Sequence, residues 1–316
     1  MRFLYIFFFF ISCAFADGQQ SLTGQQWLEK VRDAMKTQNY HGTVVFMKNG
    51  QIDTMKYWHT IENGVETERL TSLNSPLREV TRKSNEIKCL YKESRKKVEG
   101  RHPIDRSFIL NLPATFERLE DQYLVAAAGQ EMIAMRAAQI VAVLPKDELR
   151  YARKIWIDIE SWLPLKVEVY GAEGNALEQV LFTEFGIDKI DPKSEEDTSS
   201  GDTKPARQQY LSRVDALEDI PLQLNYWPAG FEKVFFIRNT MQQSQKNVDH
   251  LLISDGFSNI SIYFEEKAEQ SVEGLRALGP INSFSRVIGD QQVTVLGEVP
   301  AQTVELVANG IASRNN

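Results

Sequence analysis

The stretch from Arg150 to Phe185 restricts the fold more than any other part of the chain. Leu165, Val167 and Val169 alternate there with Lys166, Glu168 and Tyr170. A period of two predicts a strand with one side on a core and most of the other in water. The preceding strand carries Tyr151, Ile155, Ile157 and Ile159 on one face, with Trp156 and Asp158 on the other. Glu160-Ser161-Trp162 turns the chain, and Pro164 opens the next strand, where a missing N–H costs least. Ala172-Glu173-Gly174-Asn175 makes a second turn from residues that tolerate positive φ. Three antiparallel strands with one apolar face need an apolar cover.

The rest of the first two-thirds supplies candidates for that cover. Thr23-Gly24-Gln25-Gln26 reads as a capping box opening an amphipathic helix with Trp27, Leu28, Val31 and Met35 on one side. Strands are expected over 39–47, 55–61, 65–73 and 77–91, with Glu62-Asn63-Gly64 as a hairpin turn. Ser107 to Leu119 reads as a short helical stretch broken at Pro113, followed by short strands at 123–127, 131–135 and 139–144. The sum is an α+β chain whose larger part is one large curved antiparallel sheet covered by helices.

At Asp188 the texture changes. Residues 188–208 hold Ser, Thr, Gly and two prolines and almost nothing apolar, so they are expected to be a linker. Residues 209–316 form a smaller α+β domain, with strands at 234–238, 248–254, 260–265 and 292–299. Pro300 then opens a helix bearing Val304, Val307, Ala308 and Ile311.

The net charge of −7 argues against a general nucleic-acid binder. Between Arg78 and Arg106, however, ten Lys or Arg face five Asp or Glu. Either this is a solvated strand face, or Arg78, Arg82, Arg95, Lys96 and Lys97 form a patch facing phosphates. Cys89 lies in an apolar-alternating segment and reads as a buried, inert thiol. His41, His59, His102 and His250 are scattered, and neither a metal-ligand spacing nor a nucleophile motif or Gly-rich phosphate loop is present. His59 and Asp158 are the one pair on strands that could meet, with no nucleophile marked beside them. The expectation is a binding protein with no catalytic residue, metal or cofactor. Trp27, Val44, Phe46, Tyr57, Trp156, Leu165, Val167 and Val169 are either packed core or the walls of an apolar cavity.

Several segments, in this order, resemble the MucB/RseB family. In the first domain they are Pro76 to Val80, Arg136, Pro145-Lys146-Asp147 with Arg150-Tyr151, and the meander residues Trp156, Asp158, Leu163-Pro164, Lys166, Gly174, Leu177 to Gln179 and Phe182. In the second they are Trp227 to Phe231, His250, Ser254-Asp255-Gly256, Phe284-Ser285-Arg286 and Val293 to Pro300. One departure is Met135 where the family usually has a turn glycine, which predicts a hairpin of altered shape. The resemblance implies a half-barrel like that of the lipoprotein carrier LolA, followed by a small partner-binding domain. It implies a periplasmic regulator that binds the periplasmic part of an inner-membrane anti-sigma factor and shields it from proteolysis. Lipopolysaccharide or lipoprotein acyl chains would release that partner, and a homo-oligomer is compatible with the reading. Trp227, Phe231, His250, Asp255, Phe284 and Arg286 are the partner-contact candidates that follow. The rival reading is a periplasmic lipid or lipoprotein carrier, which would need only the first domain.

Residues 1–16 read as a secretory signal: Arg2, an apolar run from Phe3 to Phe15, and Ala14-Phe15-Ala16 as a small-x-small site. Intact mass of the exported protein should therefore begin at Asp17. A lipid-modified Cys13 would overturn that expectation.

Overall fold

The computed structural model describes residues 22–74, 78–84, 86–91, 96–101, 107–187, 206–207, 220, 222–241, 246–269 and 271–313. The signal segment, Arg95, His102 and the linker other than 206–207 lie outside that set. Helix α1 (Gly24–Thr37) opens on the expected capping box, with Thr23 and Gln26 bonded reciprocally. There follow β1 (Tyr40–Lys48), β2 (Gln51–Glu62), β3 (Val65–Ser72), β4 (Arg78–Lys83), β5 (Glu86–Tyr91) and β6 (Lys96–Arg101). After a four-residue α2 (Leu119–Gln122) come β7 (Tyr123–Ile133), β8 (Arg136–Pro145), β9 (Ala152–Asp158), β10 (Pro164–Tyr170) and β11 (Ala176–Gly186). With the two-residue β12 (Ala206–Arg207) they form one twelve-stranded sheet, ordered β12-β6-β5-β4-β3-β2-β1-β11-β10-β9-β8-β7.

Pairing of β1 with β11 joins the two meanders into one surface. One core cluster takes Leu28, Val31 and Met35 from α1 and at least one residue from each of eight strands, from Leu70 on β3 to Tyr123 on β7. Laid flat, that many strands would span about 34 Å, against about 10 Å for a helix. The sheet therefore curls round α1, as the one-sided pattern demanded.

The outer side of the meander is not simply wet. A bulge between Pro164 and Lys166 shifts the register of β10 against β9. Leu165 consequently packs with Trp156, Ala138 and Ile140 in a cluster separate from the main core. The Lys166 ammonium lies 4.2 Å from the Trp156 ring centroid, and the Trp156 indole donates to Glu131 at 2.8 Å. Trp156 and Leu165 thus leave the set of expected inner residues.

Three further expectations change. No helix forms over 107–118; Pro113 interrupts the stretch, whose start is held by the Phe108 N–H on Glu68 and the Ile109 N–H on the Ser107 hydroxyl. The strands expected at 123–127 and 131–135 are one strand, since Gly129 (φ 95°) serves a bulge rather than a turn. The hairpin after it survives without glycine. Ala134 and Met135 take left-handed φ of 49° and 61°, at roughly 1–2 kcal/mol each.

In the second domain β14 (Glu232–Met241), β15 (Lys246–Ser254), β16 (Asn259–Glu266), β17 (Gly274–Leu278), β18 (Ile281–Ile288) and β19 (Gln291–Gly297) form a six-stranded sheet ordered β14-β15-β16-β19-β18-β17. Helix α3 (Ala301–Asn309) lays Val304, Val307 and Ala308 on it. Ile311 falls on β20 (Ile311–Ser313), beyond the helix, paired with β13 (Leu222–Leu224). Strands β17 and β18 lacked a clean alternation and were not anticipated.

Val167 is 8% exposed within the main core. An aspartate there should lower stability by several kcal/mol, about 3 or more, measured by urea unfolding. Unchanged stability would show that the inner face is open to water.

Candidate functional site

The loop from Lys146 to Tyr151, between β8 and β9, ends on a residue with an unusual environment. The Arg150 side chain is 0% exposed. Its Nε donates to Asp255 Oδ2 at 2.6 Å, and its two terminal nitrogens donate to Asp147 and to the Ala229 carbonyl. The guanidinium also lies 4.8 Å from the Phe231 ring centroid and 5.7 Å from that of Tyr123. Asp147 and Tyr123 belong to the first domain, whereas Ala229, Phe231 and Asp255 belong to the second.

Asp255 sits in the turn between β15 and β16, and every lone-pair direction is used. Oδ1 accepts the N–H groups of Phe257 and Ser258, and Oδ2 accepts the Tyr123 hydroxyl at 2.7 Å besides Arg150. Burial, with Asp255 alongside, pushes the Tyr123 phenol well above its usual range. The next residue, Gly256, has φ 94°, and a Cβ on it would stand 2.6 Å from Pro113 of the first domain. Only glycine permits that approach. Phe257 then enters the first domain's core and meets Tyr123 edge-on at 5.3 Å.

Further bonds cross the same boundary. The Thr303 hydroxyl of α3 donates to the Leu149 carbonyl at 2.9 Å, and the Gln302 amide to the Glu148 carbonyl at 2.6 Å. The Asn282 amide donates to the Tyr151 hydroxyl at 3.0 Å. Beside them lies a cleft of about 720 Å³, with Pro113, Arg118 and Tyr123 on one wall and Glu232, Val234 and Asp255 on the other. Arg118 and Glu232 face each other at 3.6 Å, both exposed, so their attraction is worth little.

The structure distributes the expected site residues unevenly. Asp255 is committed to the first domain through Arg150 and Tyr123, and Phe231 is buried in the second core with its ring against Arg150, so neither side chain stands on an open surface. Arg286 donates to the Ala308 and Asn309 carbonyls at the end of α3. Trp227 and Phe284 are half-buried against the second core, and His250 stacks on Tyr263 at 4.3 Å. Val44, Tyr57 and Val167 are buried in the main core with Trp27 at its edge; Phe46 packs half-buried against it, and Val169 is buried on β10. None of these lines the 720 Å³ cleft.

The basic candidates are corrected at Arg82. Its side chain is 2% exposed, with Nε on Glu68 at 2.8 Å and Nη2 on Glu66 at 2.5 Å, so it faces carboxylates inside the protein, not phosphates outside. Glu68, 0% exposed, also accepts the Tyr57 and Ser107 hydroxyls at 2.6 Å each. Arg78, Lys96 and Lys97 fall on β4 and β6, with side chains outside the described set. Cys89 is half-buried on β5, not fully buried. His59 and Asp158 do not meet: His59 Nε2 lies 3.0 Å from Glu66, and Asp158 receives Arg136 at 2.8 Å and Ser161. Sequence periodicity could mark none of these ion pairs, since each joins residues on two different strands.

Comparison with known proteins gives a consistent result. The profile of the MucB/RseB N-terminal domain matches residues 23–207 and that of the MucB/RseB C-terminal domain residues 217–312. The chain is 28% identical over 305 residues to the sigma factor AlgU regulatory protein MucB of Pseudomonas aeruginosa, covering 92% of each. It is 24% identical over 292 residues to the sigma-E factor regulatory protein RseB of Escherichia coli K12, covering 90% of this chain and 89% of the other. The structure of the Pseudomonas aeruginosa MucA/MucB complex superposes with a TM-score of 0.68 at 25% identity, over 93% of this chain and 99% of that one.

Replacing Arg82 by methionine would strand Glu68 without its cation and should cost about 3–5 kcal/mol in urea unfolding; a loss below about 1 kcal/mol would contradict the buried pair. Burial opposes charge on Glu66 and Asp158, but hydrogen bonds outweigh it, from His59 and Arg82 on the one and from Arg136 and Ser161 on the other. Both carboxyls therefore titrate below their ordinary range. The stability they contribute is complete only above about pH 5 and is lost as pH falls from there through the lower folded-state values. Glu66→Gln should flatten the acid limb of a urea midpoint measured against pH, and an unchanged limb would exclude this origin.

Proposed function

Because the chain belongs to the MucB/RseB family, we propose that it is a periplasmic regulator that binds the periplasmic part of a membrane-anchored anti-sigma factor and shields it from proteolysis. Lipopolysaccharide or mislocalised lipoprotein releases that partner in this reading. The observation that carries it is family likeness across both domains, 23–207 and 217–312. The shared segments Asp147, Arg150, Trp227 to Phe231 and Asp255 also converge on one contact. Relatives of matching length carry names of sigma-factor regulatory proteins, and one was solved with MucA. A carrier working alone through the first domain would leave the second, and its buried bonds to the first, without a purpose.

The role read from those names is binding. Among the described residues no cluster of three or more His, Cys, Asp or Glu could hold a metal, and no helix is long and apolar enough to cross a membrane. The acyl signal is assigned to the first domain, where Val44, Phe46, Tyr57 and Val167 border the apolar face beneath α1.

Immobilised mature protein should recover one inner-membrane protein with a cytoplasmic sigma-binding segment from detergent-solubilised envelope. Lipopolysaccharide added before elution should reduce that recovery several-fold. Recovery of lipids or lipoproteins alone would favour the carrier.

A further inference from the structure

A polar linker suggests two domains free to swing, and modest interfaces between domains make that the default. The contact round Arg150 argues otherwise, and we infer that Arg150 is the positioning residue that locks the two domains into one arrangement and transmits a signal from one to the other. The regulatory half of this inference rests on the function proposed above; the lock itself does not.

The argument is geometric. A guanidinium presents its donors in a rigid planar fork, and here the fork is filled from both sides: Asp147 from its own domain, Asp255 and the Ala229 carbonyl from the other. Both charges of the Arg150–Asp255 pair are out of water, at 0% and 2% exposure. Parting the domains by less than the width of a water would leave a dry cation and a dry carboxylate each short of partners, whereas full separation would hydrate both, so intermediate placements are disfavoured and the contact behaves as two-state. The fit is close on all sides. A Cβ at Gly230 would meet Gln122 at 2.6 Å and Arg150 at 3.1 Å, and one at Gly256 would meet Pro113 at 2.6 Å. The same residues set the width of the 720 Å³ cleft, since Tyr123, Gly230, Asp255 and Gly256 all line it. Anything that wedges the cleft open must first break the Arg150 bonds. Conversely, anything that grips both domains strengthens them. This reciprocity is what coupling between two sites requires.

The test uses the full mature chain with Arg150→Lys, Asp255→Asn and, as a control in the same interface, Thr303→Val. Lysine keeps the charge but cannot fill the fork, asparagine keeps the shape but not the charge, and valine removes only the 2.9 Å bond to Leu149. Heat unfolding by calorimetry should show one transition for the wild type and the Thr303 variant. It should split into two for the Arg150 and Asp255 variants, whose radius of gyration by small-angle X-ray scattering should rise. With the captured anti-sigma segment bound, lipopolysaccharide should lower partner affinity in the wild type by roughly 5–150-fold, and by less than about twofold in the Arg150 variant. Unfolding and scattering curves that match wild type in both variants would overturn the lock. A variant that is locked in shape yet still loses coupling, or unlocked yet fully coupled, would overturn the transmitting role. Should lipopolysaccharide fail to displace the partner even from the wild type, the proposed function falls, while calorimetry and scattering still decide the lock.

Discussion

A guanidinium taken out of water must have its N–H groups occupied, and this requirement at Arg150 organises the molecule. It draws an aspartate turn, a backbone carbonyl and an aromatic ring of the second domain onto a loop of the first. The aspartate in turn orders its own loop through the Phe257 and Ser258 amides and presses Gly256 against Pro113. Apolar burial makes each domain, and this charge pair joins them together with the Phe257 ring and the bonds from Asn282, Gln302 and Thr303. Such pairs are weak evidence for net stability and stronger evidence for a specified geometry.

The same logic operates a second time, inside the larger domain. Glu68 lies beneath the curled sheet and is satisfied by Arg82, Tyr57, Ser107 and a backbone amide. Burial, with Glu68 beside it, pushes the Tyr57 phenol well above its usual range. This network pins the start of residues 107–118, whose Ser107 hydroxyl and Phe108 N–H both donate to a carboxylate on β3. A polar knot of this kind fixes how the segment crosses the apolar face, which oily contacts alone would leave loose.

Local pattern made the scaffold legible. The capping box at Thr23, the alternation from Leu165 to Val169, the polar break at Asp188 and the helical spacing of Val304, Val307 and Ala308 each encode their element within a few residues. What stayed hidden depended on partners far away in sequence. Arg82 read as one member of a basic run because its carboxylates stand on another strand, and Asp255 read as surface because Arg150 lies in another domain. The bulge at Leu165 also escaped notice, since a one-residue register shift inverts the facing of a side chain without altering the hydrophobic pattern. The convergence of motifs from both domains on a single contact was not legible in the sequence; the fold shows that they touch.

Phe257 carries a consequence of a different kind. It belongs by sequence to the second domain yet completes the hydrophobic core of the first, edge-on against Tyr123. A chain made N-terminus first exposes its large sheet before that ring has emerged. The sheet must wait, with part of its apolar face uncovered, until a segment beyond the linker arrives to close it. Domains usually mature as independent units in the order they are made. Here the last step of the earlier unit belongs to the later one, so a product cut short before Phe257 would be left adhesive.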